Sequence, residues 1–285
     1  MANTEQDDLK AAIFQRLHPR VYFERFLSEK IRPDGRDFGG WRDVSINVGS
    51  ISTADGSALV RLGNTTVVCG VKAEIAEPDL DRAEEGFIVP NLDLPAICSP
   101  KFKPGPPTEE AQVLSDRLND IIASSGMLPL SSLCIHPGRA AWVLYVDATC
   151  INYDGNAFDA ALIAMVAALK NTRLPAPTYD ETSGRTTCSR KTTVPLQLTR
   201  IPLSMSFGVF DATRIIADPT AFEEPLLDAT LSVVIDENGE IVHAMQLGFG
   251  DAAGLDDASG ATGGDTLITC ISAAKTRRGQ LSIQI

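Results

Sequence analysis

The stretch with the most chemical potential is Asp154-Gly155-Asn156-Ala157-Phe158-Asp159, which opens an apolar run reaching Asn171. Asp154-Gly155 is a turn signal, and Asn156 is a good N-cap for a helix starting at Ala157. From Ala157 to Leu169 the residues are Ala, Leu, Ile, Met and Val, interrupted only by Phe158 and Asp159. A helix that is apolar on every side is buried on every side, and this one is shorter than the roughly 20 apolar residues a bilayer span needs. It is therefore expected at the centre of the fold. The N-terminus of such a helix has free N–H groups and the positive end of the macrodipole, a ready site for phosphate. A phosphate enzyme would place Arg, Lys, Ser, Thr or Gly there. Here Phe158 offers a phosphate nothing, and Asp159 is expected to supply the anion itself. Taken alone, these residues predict an ordinary capped core helix.

Other reactive groups are scattered. The six cysteines (Cys69, Cys98, Cys134, Cys150, Cys188 and Cys270) contain no CxxC pair and mostly sit among apolar residues, so they read as buried free thiols of a reducing compartment. His18, His136 and His243 show no ligand spacing, so neither a metal site nor a cofactor is expected. A net charge of −12 argues against a free-standing nucleic-acid binder, although a local basic stripe inside an assembly is compatible with it. The first ten residues carry no basic n-region and no long apolar run, so neither a signal peptide nor a membrane span is expected.

The elements that must position the central helix emerge from periodicity. Residues Asp8 to Lys30 read as two helical pieces broken at Pro19, with Phe23 and Phe26 docking on the body. Val44, Ile46 and Val48 alternate with polar residues; Ala58–Leu62 and Thr66–Val71 come after short turns, which predicts an antiparallel meander. An acidic exposed loop over Glu77–Glu85 and a strand over Phe87–Leu94 come next. Lys101 and Lys103 flank Phe102 on a Pro-rich loop. Thr108 is expected to cap a helix with Ala111, Leu114, Leu118, Ile121 and Ile122 as its apolar stripe. Ala141–Ile151 reads as a central strand buried on both faces. Residues Tyr179–Thr193 read as an exposed, mobile insertion. The second half offers strands at Leu203–Phe210 and Ile215–Ala217. A hairpin joins Ala229–Ile235 to Ile241–Met245 across Asn238-Gly239. A loop over Gly248–Gly264 and a closing helix over Thr266–Thr276 complete the chain.

Four motifs in this order, Arg-Pro-Asp-Gly-Arg at 32–36, Ala-Asp-Gly-Ser-Ala-Leu-Val-Arg-Leu-Gly-Asn-Thr-Thr-Val-Val-Cys-Gly at 54–70, Asp-Gly-Asn-Ala-Phe-Asp at 154–159 and Asp-Pro-Thr at 218–220, resemble the RNase PH family. Its members include RNase PH, the two halves of polynucleotide phosphorylase and the ring subunits of the RNA exosome. The wording of this chain is most similar to a eukaryotic exosome ring subunit. The resemblance runs from about Phe23 to about Lys275. It implies an α+β RNase PH fold (ribosomal protein S5 domain 2-like), with two sheet-and-helix halves around buried central helices. The corresponding division is an N-terminal arm at 1–31, a first half at 32–177, an exposed insertion at 178–195 and a second half at 196–285.

Active members hold inorganic phosphate at the start of the central helix with a small residue, a hydroxyl residue and an arginine. The matching positions here are Asn156, Ala157 and Phe158, so the hydroxyl and the arginine are both missing. Active members also carry two aspartates a few residues apart downstream of Asp218-Pro219-Thr220. Here Asp228 stands in that neighbourhood, its partner falls near Phe222, and Glu223 and Glu224 are expected to face solvent. Losing one charge-stabilising donor typically costs about 10²–10³ in rate. The resemblance therefore implies a non-catalytic ring subunit that scaffolds an RNA channel in RNA processing and degradation. It further implies other RNase PH-like ring subunits, with ribosomal-RNA-processing protein 46 as a neighbour. S1/KH cap proteins, a separate nuclease and threaded single-stranded RNA complete the implied set, with work in nucleus, nucleolus and cytoplasm. Lys101, Lys103 and Arg117 are the candidate RNA contacts, and for Arg117 a surface ion pair with Glu110 or Asp120 competes with that role. The alternatives are an active phosphate-dependent 3′–5′ exoribonuclease and a free-standing enzyme or RNA-binding module on the same fold.

Overall fold

The computed structural model describes residues 2–211, 213–248 and 263–281. The centre is helix α4, Ala157–Asn171, with every side chain from Ala157 to Leu169 buried. On one side lies a sheet built from β1 (Val44–Val48), β2 (Gly56–Leu62), β3 (Thr65–Ala76), β6 (Ala140–Asn152) and β4 (Phe87–Asp93), in that spatial order, with β5 (Cys134–His136) added to β6. The predicted meander is β1-β2-β3, antiparallel with Val44 opposite Leu62 and Leu62 opposite Thr65. β4 is the exception, running parallel to β6 as the far edge. Helix α3 (Glu109–Ser124) bridges these two strands by a crossover. Its N-cap is Thr108, whose hydroxyl accepts from Ala111 N at 3.3 Å.

On the other side of α4 lies a second sheet, ordered β10 (Arg214–Ala217), β9 (Leu203–Phe210), β11 (Ala229–Ile235) and β12 (Ile241–Gly248). Asp236 organises the β11–β12 turn: its Oδ1 accepts from Asn238 N at 3.0 Å and Glu240 N at 2.8 Å, and Gly239 takes φ +79°. Helix α5 (Gly263–Leu281) packs on β11 and β9 through Cys270, Ala274 and Leu281; it is longer than the expected Thr266–Thr276. Helices α1 (Ala2–Leu17) and α2 (Pro19–Ser28) form the N-terminal arm. Phe23 and Leu27 dock it against Phe210 and Ile216, whereas Phe26 is only partly buried, its ring tilted against Tyr22 with centroids 4.9 Å apart.

Two expectations about strands are corrected. β6 is not buried on both faces: beyond Leu144 its burial alternates, and Tyr145 and Asp147 face outward. Residues 178–195, expected as an exposed insertion, are mostly exposed but are built of strand: they belong to a hairpin of β7 (Arg173–Asp180) and β8 (Arg185–Pro195), so a boundary at 177/178 cuts through β7. Most of the predicted 248–264 loop, residues 249–262, lies outside the described residues.

Candidate functional site

The turn before α4 is fixed by its backbone. Gly155 takes φ +79°, and a Cβ there would stand 2.4 Å from Ala221 N and Thr220 C, so glycine is required there by the close passage of the 219–221 segment. Asn156 comes next in the left-handed region at φ 52°, which Asn tolerates better than most residues. Its side chain does not cap the helix, contrary to expectation. Instead Nδ2 donates to Asp159 Oδ2 at 2.8 Å and to Asp218 Oδ1 at 2.7 Å.

Behind the turn is a buried ionic cluster whose members come from three distant parts of the sequence, 32–42, 154 and 217–223. Arg42 Nε and Nη2 reach the Asp218 carboxylate at 2.8 and 2.7 Å, and Arg42 Nη1 reaches Asp154 O at 2.7 Å. Arg36 adds a contact to Asp218 Oδ2 at 3.3 Å. Arg32, fully buried, forms a two-pronged pair with Glu223 and also donates to Ala217 O at 2.7 Å and Asp218 O at 3.0 Å. Burial pushes the Asp218 carboxyl up, but the hydrogen bonds and charge of Arg42 outweigh it and hold it below the ordinary 3.8. The Arg-Pro-Asp-Gly-Arg and Asp-Pro-Thr motifs thus meet in one place and bind each other.

Asp159 does not serve as the anion of the helix end. It is buried against β9, where Oδ1 accepts from Ser204 Oγ at 2.6 Å and Ser206 Oγ at 2.8 Å, and Oδ2 accepts from Ser206 N at 2.8 Å. Burial raises its pKa, and these donors oppose the rise. The carboxylate that takes the helix end is Glu224: Oε1 accepts from Asn156 N at 2.7 Å, and Oε2 accepts from the Tyr153 hydroxyl. Burial raises the Glu224 pKa, opposed by these two donors and by Lys101, with Glu110 adding to the rise. The expectation that Glu223 and Glu224 face solvent is thereby corrected; they are tied to Arg32 and to the α4 turn.

In front of the turn is a cavity of about 370 Å³, whose walls include Lys101, Arg117, Tyr153, Phe158, Glu224 and Ser232. Two of the three candidate RNA contacts therefore converge here. Lys101 pairs with Glu110 at 2.7 Å and lies over the Phe102 and Tyr153 rings at 5.4 and 5.2 Å. Arg117 makes neither expected surface ion pair. Its guanidinium lies 4.3 Å from the centroid of Phe158 and donates to Ser232 Oγ at 3.3 Å, while its Nε is buried without a partner. Burial lowers its pKa, with Asp159 opposing. Lys103 is exposed and not in the cavity wall, and Phe102, expected on the loop with it, is buried. Asp228 is outside as well: it is exposed, accepts from Asp211 N at 2.6 Å and lies 3.7 Å from Arg20. Asn156, Ala157 and Phe158 all line the cavity, Phe158 presenting a ring. Among the described residues no cluster of three His, Cys, Asp or Glu could hold a metal ion, and no helix is long and apolar enough to cross a membrane.

The residues that sequence reasoning missed are Arg32, Arg36, Arg42, Tyr153 and the buried pair Glu223-Glu224. The available signal was the density of charge in two otherwise turn-like motifs, but nothing in one sequence says that residues 32 and 223 touch.

Comparison with known proteins gives the same arrangement a lineage. The 3′ exoribonuclease family, domain 1, matches residues 40–175, and domain 2 of that family matches residues 200–277. The chain is 44% identical over 248 residues to Exosome complex component rrp43 of Schizosaccharomyces pombe, covering 87% of this chain and 92% of that one. It is 42% identical over 222 residues to Exosome complex component Rrp42 of Methanothermobacter thermautotrophicus, covering 78% and 80%. Among solved structures, the Archaeoglobus fulgidus exosome with RNA bound to the active site superposes with TM-score 0.79 at 30% identity, covering 93% of this chain and 96% of that one. An archaeal exosome core superposes with TM-score 0.75 at 29% identity, covering 97% and 99%. With both halves matched and these identities running through most of its length, the chain belongs to the RNase PH family, on the branch of the exosome complex components.

Proposed function

We propose that this chain is a non-catalytic subunit of an RNA exosome ring, which shapes the channel through which single-stranded RNA reaches a separate nuclease. The observation that carries the non-catalytic part is the Glu224 carboxylate on the Asn156 N–H, beside a Phe158 ring at the position where the family resemblance implies an arginine in active members. A phosphate approaching α4 would meet a carboxylate in place and a side chain that cannot donate. The expected pair of aspartates is lacking too: Asp218 is saturated by arginines and Asp228 stands outside the cavity, while the carboxylates that do line it, Glu110 and Glu224, are tied to Lys101 and to Tyr153 and Asn156. The kinship with exosome components supports assembly, as do apolar side chains left in solvent, such as Leu9 (61% exposed), Leu17 (68%) and Ile268 (65%). Neighbouring ring subunits, processing protein 46 among them, and S1/KH cap proteins are the proposed partners. Lys103, exposed on its loop, is the remaining proposed RNA contact. The test is reconstitution. The assembled ring containing this chain and no other active subunit is incubated with single-stranded RNA, with and without inorganic phosphate. No shortening in either arm is expected; phosphate-dependent shortening would establish the alternative, an active exoribonuclease. Affinity purification of the endogenous protein tests the ring itself, which should come down whole.

A further inference from the structure

β4 is the open edge of the larger sheet, pairing with β6 and with no other strand among the described residues. Alternate residues of an edge strand point their N–H and C=O away from the sheet. Leu92 is one of these: its N–H donates to Ser115 Oγ at 2.9 Å, and its C=O accepts from the same hydroxyl at 3.1 Å. Gly86 is another, with N–H donating to Leu130 O at 2.9 Å. Between these two stitches lie Ile88 and Pro90. Pro90 has no N–H to offer. By the same alternation the Ile88 N–H, the Ile88 C=O and the Pro90 C=O point away from β6, leaving one donor and two acceptors in a row at the edge.

This window opens into a groove of about 490 Å³ between β4 and α3. The opposite wall carries Gln112, Asp116 and Asn119, spaced so that they share one face of α3. No lysine or arginine lines it. An adjoining groove shares Ile88 and Asn119 and adds Asp79 and Glu85, with Arg82 held 3.6 Å from Glu85. The cleft is therefore acidic, polar on its helical wall, and floored by unpaired backbone.

We propose that this groove receives an extended segment of a partner protein, which adds as a short strand along Ile88–Pro90 and sets a basic side chain on Asp116. Strand addition uses main-chain hydrogen bonds for affinity and pockets for alternate side chains for specificity. The incoming strand would give two N–H groups to the Ile88 and Pro90 carbonyls and take the Ile88 N–H on a carbonyl of its own. The open window is roughly 7 Å long at 3.3 Å per residue, so a few partner residues fill it. Natural edge strands are usually guarded by charge, proline or a covering element. Here Pro90 guards one position and leaves the rest open. This inference is independent of whether the chain cleaves RNA.

The probe is an acetylated hexapeptide alternating valine and lysine, with the valine–glutamate peptide as control, added to the full chain in its assembled ring. Saturable binding of the lysine peptide alone is expected, with slowed deuterium exchange at the Ile88 amide. Asp116→Lys should weaken it about fivefold or more, as loss and reversal of one partly screened ion pair requires. Ile88→Pro should abolish it. Because Ile88→Pro touches a partly buried residue, Asn119→Trp, which fills the groove from an exposed position, provides the second test and should also abolish binding. Absence of saturable binding, equal binding of both peptides, or an Ile88 amide already protected before the peptide is added would overturn the proposal.

Discussion

The two sides of the turn at Asp154–Asn156 carry similar residue types and do opposite things. Behind it, Arg32, Arg36 and Arg42 are each matched to a carboxylate in geometry that leaves little unpaired. In front of it, Lys101 and Arg117 face a cavity, one paired at the surface with Glu110 and the other stacked on a ring with its Nε unpartnered. The difference is burial. A buried charge must be paired and hydrogen-bonded or its desolvation is uncompensated, whereas a half-exposed one can wait for a ligand or for water. Two of the four family motifs, Arg-Pro-Asp-Gly-Arg and Asp-Pro-Thr, belong to the rear cluster, which ties the 32–42 segment to the 217–223 segment. The front, where phosphate chemistry would occur, is where this chain has a phenyl ring and an inserted carboxylate.

The largest effect should come from breaking the rear cluster. Glu223→Ala leaves the Arg32 guanidinium buried and uncompensated, so it should cost about 3–5 kcal/mol of stability by chemical denaturation. A loss under about 1 kcal/mol, the scale of an exposed pair, would show that the rear cluster is no more critical than the front.

The next effect is in pH. Asp218 has a folded pKa held below 3.8, so its contribution is fully present above that value and is lost as pH falls through the depressed folded value. Asp159 and Glu224 are raised, so they oppose folding at neutral pH, and that opposition fades as pH falls through their folded values. Stability should therefore rise slightly from neutral pH towards the ordinary carboxylate range and then drop below about pH 4. Asp218→Asn should flatten that acid drop while lowering stability at neutral pH, as urea midpoints across pH will show.

Tyr153→Phe removes the hydroxyl that donates to Glu224, a hydrogen bond to a charged group, and should cost about 1.5–3 kcal/mol in thermal denaturation. The smallest effect belongs to the front: Lys101→Ala breaks an exposed pair and should change stability by about 1 kcal/mol or less. If Lys101→Ala proved as costly as Glu223→Ala, the contrast between the two sides would collapse.

Much of the scaffold is legible in the sequence because it obeys simple periods. The β1–β3 meander alternates, α4 is apolar all round, and Thr108 caps α3 as its type predicts. Residues Tyr179–Thr193 read as an exposed, mobile insertion because they carry few apolar residues; the β-branched threonines Thr186, Thr187, Thr192 and Thr193 are the strand signal. The candidate site is legible only in part. Asn156, Ala157 and Phe158 do line the cavity, and Arg117 reaches it from α3. The carboxylates mislead for one reason. Glutamate is exposed by default, and only a partner 191 residues away in sequence makes Glu223 an interior residue. Long-range pairing of that kind leaves no local trace.

The central claim is that Glu224 and Phe158 occupy the place where phosphate would bind, and diffraction from crystals of the ring grown in high inorganic phosphate tests it most directly. Density should show the Glu224 carboxylate on the Asn156 amide and no phosphate beside Ala157 and Phe158. A phosphate ion seated there, held by Arg117 and Lys101 with Glu224 swung away, would contradict the account.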